Sequence, residues 1–356
     1  MSTPNVVAGS FLEALAAHAD AADADLVWPV NSWQVLRQSG VLKWSLPVSA
    51  GGQDLSSLDL LEGYGEVAGS CLTTAFLLSQ REAACRRLRD SANEWLRQQL
   101  LPPLAQGDIF ATVGLSQLTT SRQHTRPAMT GTWNGEELIL DGVMPWVTGA
   151  PHTDYFVTGA VLPDAKQVLA VVPRTDPGVE VGAALDLMAL RGSLTAEVRC
   201  HQVAVPAKWI VAGPAEQVLA GKHGGTGGLE TSCLALGLAN AAIEWIKKEA
   251  EARPDLVTLA EPLQSSLQRC RDEMFHLAKS GPTAAIAGQL RGRANRLVLR
   301  STQTALTACK GTGFVHPHPA QRWARQALFF LVWSCPRPAT EATLAYLTKD
   351  EAMWCE

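Results

Sequence analysis

The stretch DGVMPWVTGAPHTDYFVTGA, residues 141–160, decides how the middle of this chain folds. It begins as a strand, and the polar and glycine residues at 148–149 then mark a turn. Trp146 stands two residues before the hydroxyl of Thr148. A large indole at this position is either a core aromatic at a strand end or one side of a binding site.

Strand signals extend on both sides of this stretch, from Ile109 to about Gly213. Asn134-Gly135, in TGTWNGEELILDG, is the strongest short hairpin signal in the chain, and alternating segments flank it. YFVTGAVL, QVLAVVP and EVRCHQVAVP follow, each bounded by Gly, Pro or Asp. The region is therefore predicted to form an antiparallel barrel or sandwich.

Helical periodicity occupies the rest of the chain. In the segment 56–90 the apolar residues fall near helical spacing, with Ser57 as a candidate N-cap. After the glycine-rich segment 220–230, interpreted as a linker, four helical patterns follow one another and predict a bundle. The predicted fold is α+β, with a helical domain (1–108), a β domain (109–213) and a C-terminal four-helix bundle (214–356).

Composition narrows the class of protein. The 356 residues carry a net charge of −4, which argues against a nucleic-acid partner. The first residues lack the basic start of a signal peptide, and no apolar run predicts a membrane span. Eight scattered cysteines without a C-x-x-C pair suggest neither a metal site nor disulfides. We expect a soluble cytoplasmic protein with reduced thiols, in which 316–319 (His-Pro-His-Pro) is a rigid loop rather than a metal site.

Basic residues dominate one window of the predicted bundle. Between Glu273 and Glu341 the sequence has no Asp or Glu but nine Lys and Arg residues. The three at positions 293, 296 and 300 share a helical face. Two interpretations remain open: a surface for phosphate groups, or a basic surface that faces solvent or another subunit.

The order of helices, β domain and bundle carries a family resemblance. Together with DGVMPWVTGAPHTDYFV, LMALRGSLTAEVRCHQVAVPAKWIVAG (187–213) and CKGTGFVHPHPAQRWARQA (309–327), it resembles the acyl-CoA dehydrogenase superfamily of flavoproteins. The resemblance implies FAD as the cofactor and α,β-dehydrogenation of an acyl-CoA thioester. It also implies a homodimer or homotetramer, because each flavin site would borrow residues from a neighbouring subunit.

The resemblance also implies roles for individual residues. Trp146 would pack against the flavin ring, and the Thr148 hydroxyl would bond the ring nitrogen that accepts hydride. Ser116 keeps a hydroxyl for the flavin, and Arg122 would reach a phosphate. The remaining cofactor contacts that the resemblance implies are Arg253, on the pyrophosphate across a subunit interface, and a turn containing Thr307 and Gly311.

The proton acceptor departs from the family pattern. Ser334 stands where many members have a catalytic Glu, and a serine without a partner base is a poor acceptor at neutral pH. Glu230 is the remaining candidate base, although a carboxylate at a helix start also has a plain electrostatic explanation. A flavin-dependent monooxygenase of the same superfamily, which needs no such base, and a catalytically silent binding or assembly subunit therefore stay open beside the dehydrogenase.

Overall fold

A computed structural model describes residues 9–119, 127–219, 229–333 and 337–348. Two compact units divide the chain: residues 1–63 with 70–225, and residues 64–69 with 226–356. Most of the glycine-rich segment interpreted as a linker, at 220–228, lies outside the described residues.

Six helices open the chain, as the periodicity predicts. They are α1 (Gly9–Ala17), α2 (Ala19–Ala24), α3 (Val30–Gln38), α4 (Ser57–Ser70), α5 (Leu72–Arg89) and α6 (Glu94–Gln106). The N-cap of α4 is Ser56 rather than the predicted Ser57, because the Ser56 hydroxyl accepts the Asp59 backbone N–H at 3.2 Å. Arg81 lies wholly buried in α5, where it donates to the carbonyl of Leu42 at 3.0 Å.

Eight strands form one sheet in the first unit. They are β1 (Ala111–Gly114), β2 (Met129–Asn134), β3 (Glu137–Val147), β4 (Tyr155–Val161), β5 (Gln167–Pro173), β6 (Val179–Ala184), β7 (Ala196–Pro206) and β8 (Ile210–Ala215). The order is β6-β7-β3-β2-β4-β5-β8, with β1 beside β4. Most pairs are antiparallel as predicted, but β1 runs parallel to β4, and β2 meets β4 in parallel at a single position.

The predicted hairpin joins β2 to β3. Asn134 pairs with Glu137, and Gly135 lies in the two-residue turn with a φ of +60°. This backbone conformation is one that glycine adopts without steric cost. The hairpin signal therefore identifies the turn, although Asn134 itself still belongs to the strand.

Two hydrophobic clusters pack on the sheet, and alternate positions of β2 and β7 remain exposed. Strand residues such as Val113, Val157 and Val171 pack with leucines of α5 and α6, including Leu88 and Leu101. Phe156 and Val172, which neighbour Val157 and Val171 along their strands, point the other way. They belong to a second cluster, which also includes Met144, Val198 and Val205. The alternation of side chains along each strand thus builds two separate cores.

Besides residues 64–69 of α4, the described part of the C-terminal unit contains five α-helices: α8 (Leu229–Ala250), α9 (Val257–Ser280), α10 (Ala284–Gly313), α11 (Pro319–Phe329) and α12 (Arg337–Thr348). The first four are the predicted bundle helices, and α12 was not predicted. None of the helices in the described residues is long and apolar enough to cross a bilayer. Helix gives way to strand between Gln106 and Ala111, and the division into three domains remains a prediction.

Candidate functional site

A β-bulge turns Trp146 out of the sheet. Strands β3 and β7 pair antiparallel, and their register shifts between Met144 and Val147. Pro145 has no N–H for the ladder and so fits this irregular position. Because a bulge changes the direction of the side chain at its site, Trp146 faces outward and is 53% exposed, while the flanking Met144 and Val147 are buried.

Thr148 follows at the start of a tight turn and is only 3% exposed. Gly149 adopts a φ of +70° and donates its N–H to the carbonyl of Ser193 at 2.8 Å. A Cβ at Gly149 would lie 2.7 Å from the ring of Phe110, so a larger residue would collide with the core. The turn therefore holds a buried hydroxyl two residues from an exposed indole. Because the indole is exposed, Trp146 is not a core aromatic.

Two further hydroxyls stand behind Thr148. Val147 pairs with Ala196, and this register places Thr195 beside Thr148, with 3.4 Å between the two hydroxyl oxygens. The Ser193 hydroxyl lies 3.0 Å from that of Thr195. The segment LRGSLT contributed only to the family resemblance, so Ser193 and Thr195 were not predicted as site residues. The signal that could have identified them is the presence of three hydroxyl residues at two turns of one predicted domain.

Ser116 begins the short helix α7 (Ser116–Thr119), which follows β1. Its Oγ is buried and has no hydrogen-bond partner among the residues that the structure describes. The next residue, Gln117, donates to the carbonyls of Gly114 and Gly159 and lies 3.1 Å from the Thr158 hydroxyl. Gln117 therefore fixes the turn, and Ser116 keeps a buried acceptor and donor for a ligand.

Arg253 and the turn around Gly311 lie together in the C-terminal unit. The Arg253 guanidinium donates to the carbonyl of Ala308 at 2.7 Å and lies 3.3 Å from the Asp255 carboxylate. Helix α10 is broken at Lys310, whose φ is +54° and ψ −147°. Thr307 and Gly311 are exposed on either side of that break. Arg253 thus lies close in space to the segment that contains Thr307 and Gly311, and the cofactor contacts of all three residues remain predictions.

Glu230 lies in the first turn of α8 and is partly buried. Burial raises the pKa of the Cys233 thiol, the Glu230 carboxylate raises it further, and the Arg271 guanidinium lowers it. Both charges therefore act within electrostatic range of one buried thiol. Glu230 keeps its place as a candidate base, and its role remains a prediction.

The acid-free window does not form one open basic face. Arg291 is fully buried, donates to Asn295 at 2.8 Å and to the Trp333 carbonyl at 3.1 Å, and lies over the Phe330 ring. Arg293 pairs with Glu273, and Arg296 lies 5.7 Å from the ring centroid of Tyr346. Arg291 is used in packing, and Arg293 and Arg296 have partners at partly exposed positions, which weakens the prediction of a phosphate-binding surface.

Two predicted site residues lie outside the described residues, and a histidine of the predicted rigid loop has a structural role. Arg122 and Ser334 are outside the described residues. The nitrogen Nδ1 of His318 accepts the Ala320 N–H at 3.2 Å, so this histidine caps α11. Within the described residues no cluster of three His, Cys, Asp or Glu side chains suits a metal ion.

The geometry in the β region fits the planar cofactor that the resemblance implies. The exposed Trp146 indole offers an apolar surface for a ring, and the buried hydroxyls of Ser116 and Thr148 offer polar groups, which is the combination of groups that such a cofactor needs. Ser116, Trp146 and Thr148 belong to the first unit. Arg253, Thr307, Gly311 and Glu230 belong to the second.

Comparison with known proteins identifies the family. Residues 6–108 match the family described as Acyl-CoA dehydrogenase, N-terminal domain. The "Probable acyl-CoA dehydrogenase YngJ" of Bacillus subtilis is 23% identical over 88% of this chain and 88% of its own length. Cyclohexane-1-carbonyl-CoA dehydrogenase of Syntrophus aciditrophicus is 22% identical over 95% of this chain and 92% of its own.

The fold agrees with a solved structure of the same class. Butyryl-CoA dehydrogenase from Megasphaera elsdenii superposes with a TM-score of 0.83 and 18% identity, covering 98% of this chain and all of that one. Residues 6–108 thus match the N-terminal domain of acyl-CoA dehydrogenases, and relatives that span most of the chain carry acyl-CoA dehydrogenase names. The predicted α+β fold and the predicted resemblance to this superfamily are both confirmed.

Proposed function

We propose that this protein binds FAD and acts as an oxidoreductase that removes two hydrogens from adjacent carbons of an acyl-CoA thioester. The observation that carries the proposal is the turn after β3, where the exposed Trp146 indole lies two residues from the buried Thr148 hydroxyl. Relatives along nearly the whole chain carry acyl-CoA dehydrogenase names, which supports the same reaction class.

The chain's own residues would bind and orient the cofactor. Trp146 supplies a broad apolar face for the flavin ring, and its backbone is fixed by the bulge in β3. Thr148 and Ser116 supply hydroxyls held in buried positions, so they need little reordering when a ligand arrives. Bound FAD would supply the chemistry that these side chains lack, the acceptance of a hydride equivalent.

The phosphate end of the cofactor would take the Arg253 contact across a subunit interface, from the C-terminal unit of a neighbouring copy of the chain. Arg253 is 35% exposed beyond its bond to Ala308, and Lys310, Thr307 and Gly311 are exposed beside the break in α10. A guanidinium suits a pyrophosphate because its planar fork matches two oxygens. These contacts are part of the proposal, as is Arg122.

A dehydrogenase of this type also needs a proton acceptor beside the thioester carbonyl. Glu230 is the carboxylate that we propose for it, at the start of α8. Ser334 stands in the alternative position and would require a partner base.

The proposed homo-oligomer has support in the C-terminal unit. Phe314 is 78% exposed, Val315 64%, Val332 76% and Leu347 55%. Large apolar side chains exposed in such number are typical of surfaces that a partner covers. Light scattering after size-exclusion chromatography tests this part, and a monomer at micromolar concentration would contradict it.

Reconstitution with FAD followed by anaerobic mixing with saturated acyl-CoA thioesters tests the whole proposal. Flavin absorbance must appear on the protein, and at least one thioester must bleach it. Bound flavin that no thioester reduces, but that reacts with oxygen once reduced chemically, would favour the monooxygenase. Failure to bind flavin at all would leave the silent binding or assembly subunit.

A further inference from the structure

Beyond the side chains that would touch the cofactor, we infer that Ser193 and Thr195 are positioning residues, which set the direction of the Thr148 hydroxyl proton. The inference rests on the proposed function, because the Thr148 proton is argued to point at the flavin. It concerns a chain of three buried hydroxyls inside the first unit, Ser193 to Thr195 to Thr148.

The loop that carries Ser193 is strained. Leu190 has a φ of +61° and Leu194 a φ of +45°, so two leucines in the left-handed region bracket the Arg191–Ser193 turn. Leucine gains nothing from this conformation, and such strain persists only where the surroundings impose it. The loop is therefore held in one shape against its local preference.

The contacts that impose the shape come from helix α2 and the residues after it. The buried Asp23 carboxylate accepts the Leu190 N–H at 2.8 Å, and Arg191 donates to the carbonyl of Ala24 at 2.9 Å. A Cβ at Gly192 would lie 2.5 Å from the Ala22 carbonyl oxygen, so the two backbones are in close contact. These contacts with α2 hold the loop in the position where Ser193 lies beside the turn at Thr148.

Counting protons gives the chain a direction. Each hydroxyl has one proton to donate. Thr195 is placed to donate to Thr148 at 3.4 Å, whereas either hydroxyl can donate in the 3.0 Å contact between Ser193 and Thr195. When Thr195 uses its one proton on Thr148, the wholly buried Ser193 donates to Thr195. Thr148 then accepts from behind and keeps its own proton for a ligand in front.

The two contacts differ in strength. The Ser193–Thr195 separation of 3.0 Å is within the range of hydrogen bonds between hydroxyls, whereas the 3.4 Å between Thr195 and Thr148 is longer than that range and describes a weak contact. Hydroxyls in series polarise one another, so a donor behind Thr148 makes it a better donor to the flavin ring nitrogen. Ser193 and Thr195 would influence the flavin only through Thr148.

A double-mutant cycle on the FAD-loaded protein tests this route. Thr195→Val and Thr148→Val are made singly and together, and the absorption maxima and midpoint potential of the bound flavin are measured. We expect both single variants to shift these properties in the same direction. In the Thr148→Val background, Thr195→Val should add at most about a third of its own shift, because the route through Thr148 is already lost.

Control variants separate a positioning role from general loss of packing. Thr195→Ser keeps the hydroxyl and should restore the wild-type spectrum. Thr112→Val changes another buried threonine, on β1, whose hydroxyl has no hydrogen-bond partner among the described residues, and should shift nothing. Should Thr195→Val fail to fold, Ser193→Ala removes the first donor and takes its place in the cycle.

The outcomes are distinct. A Thr195→Val shift that persists in full in the Thr148→Val background, or no shift with flavin bound, overturns the positioning role and leaves the proposed function standing. A wild-type protein that takes up no FAD overturns both. A Thr195→Ser variant that behaves like Thr195→Val would also overturn the positioning role, because the hydroxyl would then be irrelevant.

Discussion

The Arg253 guanidinium donates a 2.7 Å hydrogen bond to the carbonyl of Ala308, so the loop after α8 is tied to α10. Ala308 lies two residues before the break in α10 at Lys310. A guanidinium that donates to a helix carbonyl next to such a break stabilises the backbone there. Arg253 therefore has a structural role whether or not it also meets a cofactor.

Arg253→Gln is expected to destabilise the C-terminal unit by about 1 kcal/mol, which is less than the range of about 1.5–3 kcal/mol for a charged hydrogen bond, since the side chain is partly exposed. Urea unfolding followed by circular dichroism measures the change. Arg37→Gln is the matched control, because Arg37 pairs with Asp108 on the surface with 52% and 55% exposure and should cost almost nothing. If Arg253 also binds the pyrophosphate, FAD affinity falls as well and depends less steeply on salt.

Trp146→Ala should leave the stability of the apoprotein within about 0.5 kcal/mol of wild type, because the indole is more than half exposed. FAD affinity should fall about tenfold or more, since the ring loses its apolar face. Fluorescence titration with FAD measures the second effect. Trp133→Ala, on the neighbouring strand β2 and 39% exposed, is the control and should bind FAD as wild type does. Equal losses in both variants would contradict a specific role for Trp146.

The sequence predicts those features of the molecule that depend on short local patterns. The hairpin turn at Gly135 and the helices α8 to α11 follow from periodicity and turn chemistry within short windows. The outward direction of Trp146 depends on a bulge in the pairing of β3 with β7, strands that are distant in sequence. No local pattern contains that register.

The same limit explains the parts of the site that were missed. Thr195 lies 47 positions from Thr148, and only the pairing of Val147 with Ala196 brings them together. The basic window suggested a phosphate surface, yet Arg291 proves to be buried against Phe330. Charge counts along a sequence do not reveal which cations are used in packing.

Glu230→Gln should lower the rate of flavin reduction by an active thioester about 10²-fold or more, because the amide cannot accept the substrate proton. Stopped-flow absorbance under anaerobic conditions gives the rate. Glu244→Gln on the same helix removes a surface carboxylate that pairs with Lys247 and should leave the rate unchanged. An unaltered rate in Glu230→Gln would remove this residue from the mechanism.

Burial lowers the pKa of His152 below its usual 6.5, and the positive charge of Arg174 lowers it further. The unfolded chain therefore takes up this proton first as the pH falls, so the folded state loses stability from about pH 6.5 downward. Arg174→Gln should raise the pKa of His152, though not fully to 6.5, because burial remains. NMR titration of the ring resonances measures it.

Two glycine-to-alanine substitutions in the C-terminal unit should change its stability in opposite directions. A Cβ at Gly237 in α8 would lie 2.1 Å from the carbonyl oxygen of Gly65, where backbone meets backbone and nothing can give way easily. Gly237→Ala should therefore cost about 1–3 kcal/mol or more, as overpacking does.

A Cβ at Gly288, inside α10, would meet no atom within 4 Å. Gly288→Ala should stabilise the unit by about 0.5–1 kcal/mol, the difference in helix propensity between the two residues. Both values come from denaturant midpoints measured at constant slope. If Gly237→Ala were as stable as Gly288→Ala, the close approach of α8 to the Gly65 backbone would not be a feature of the folded protein.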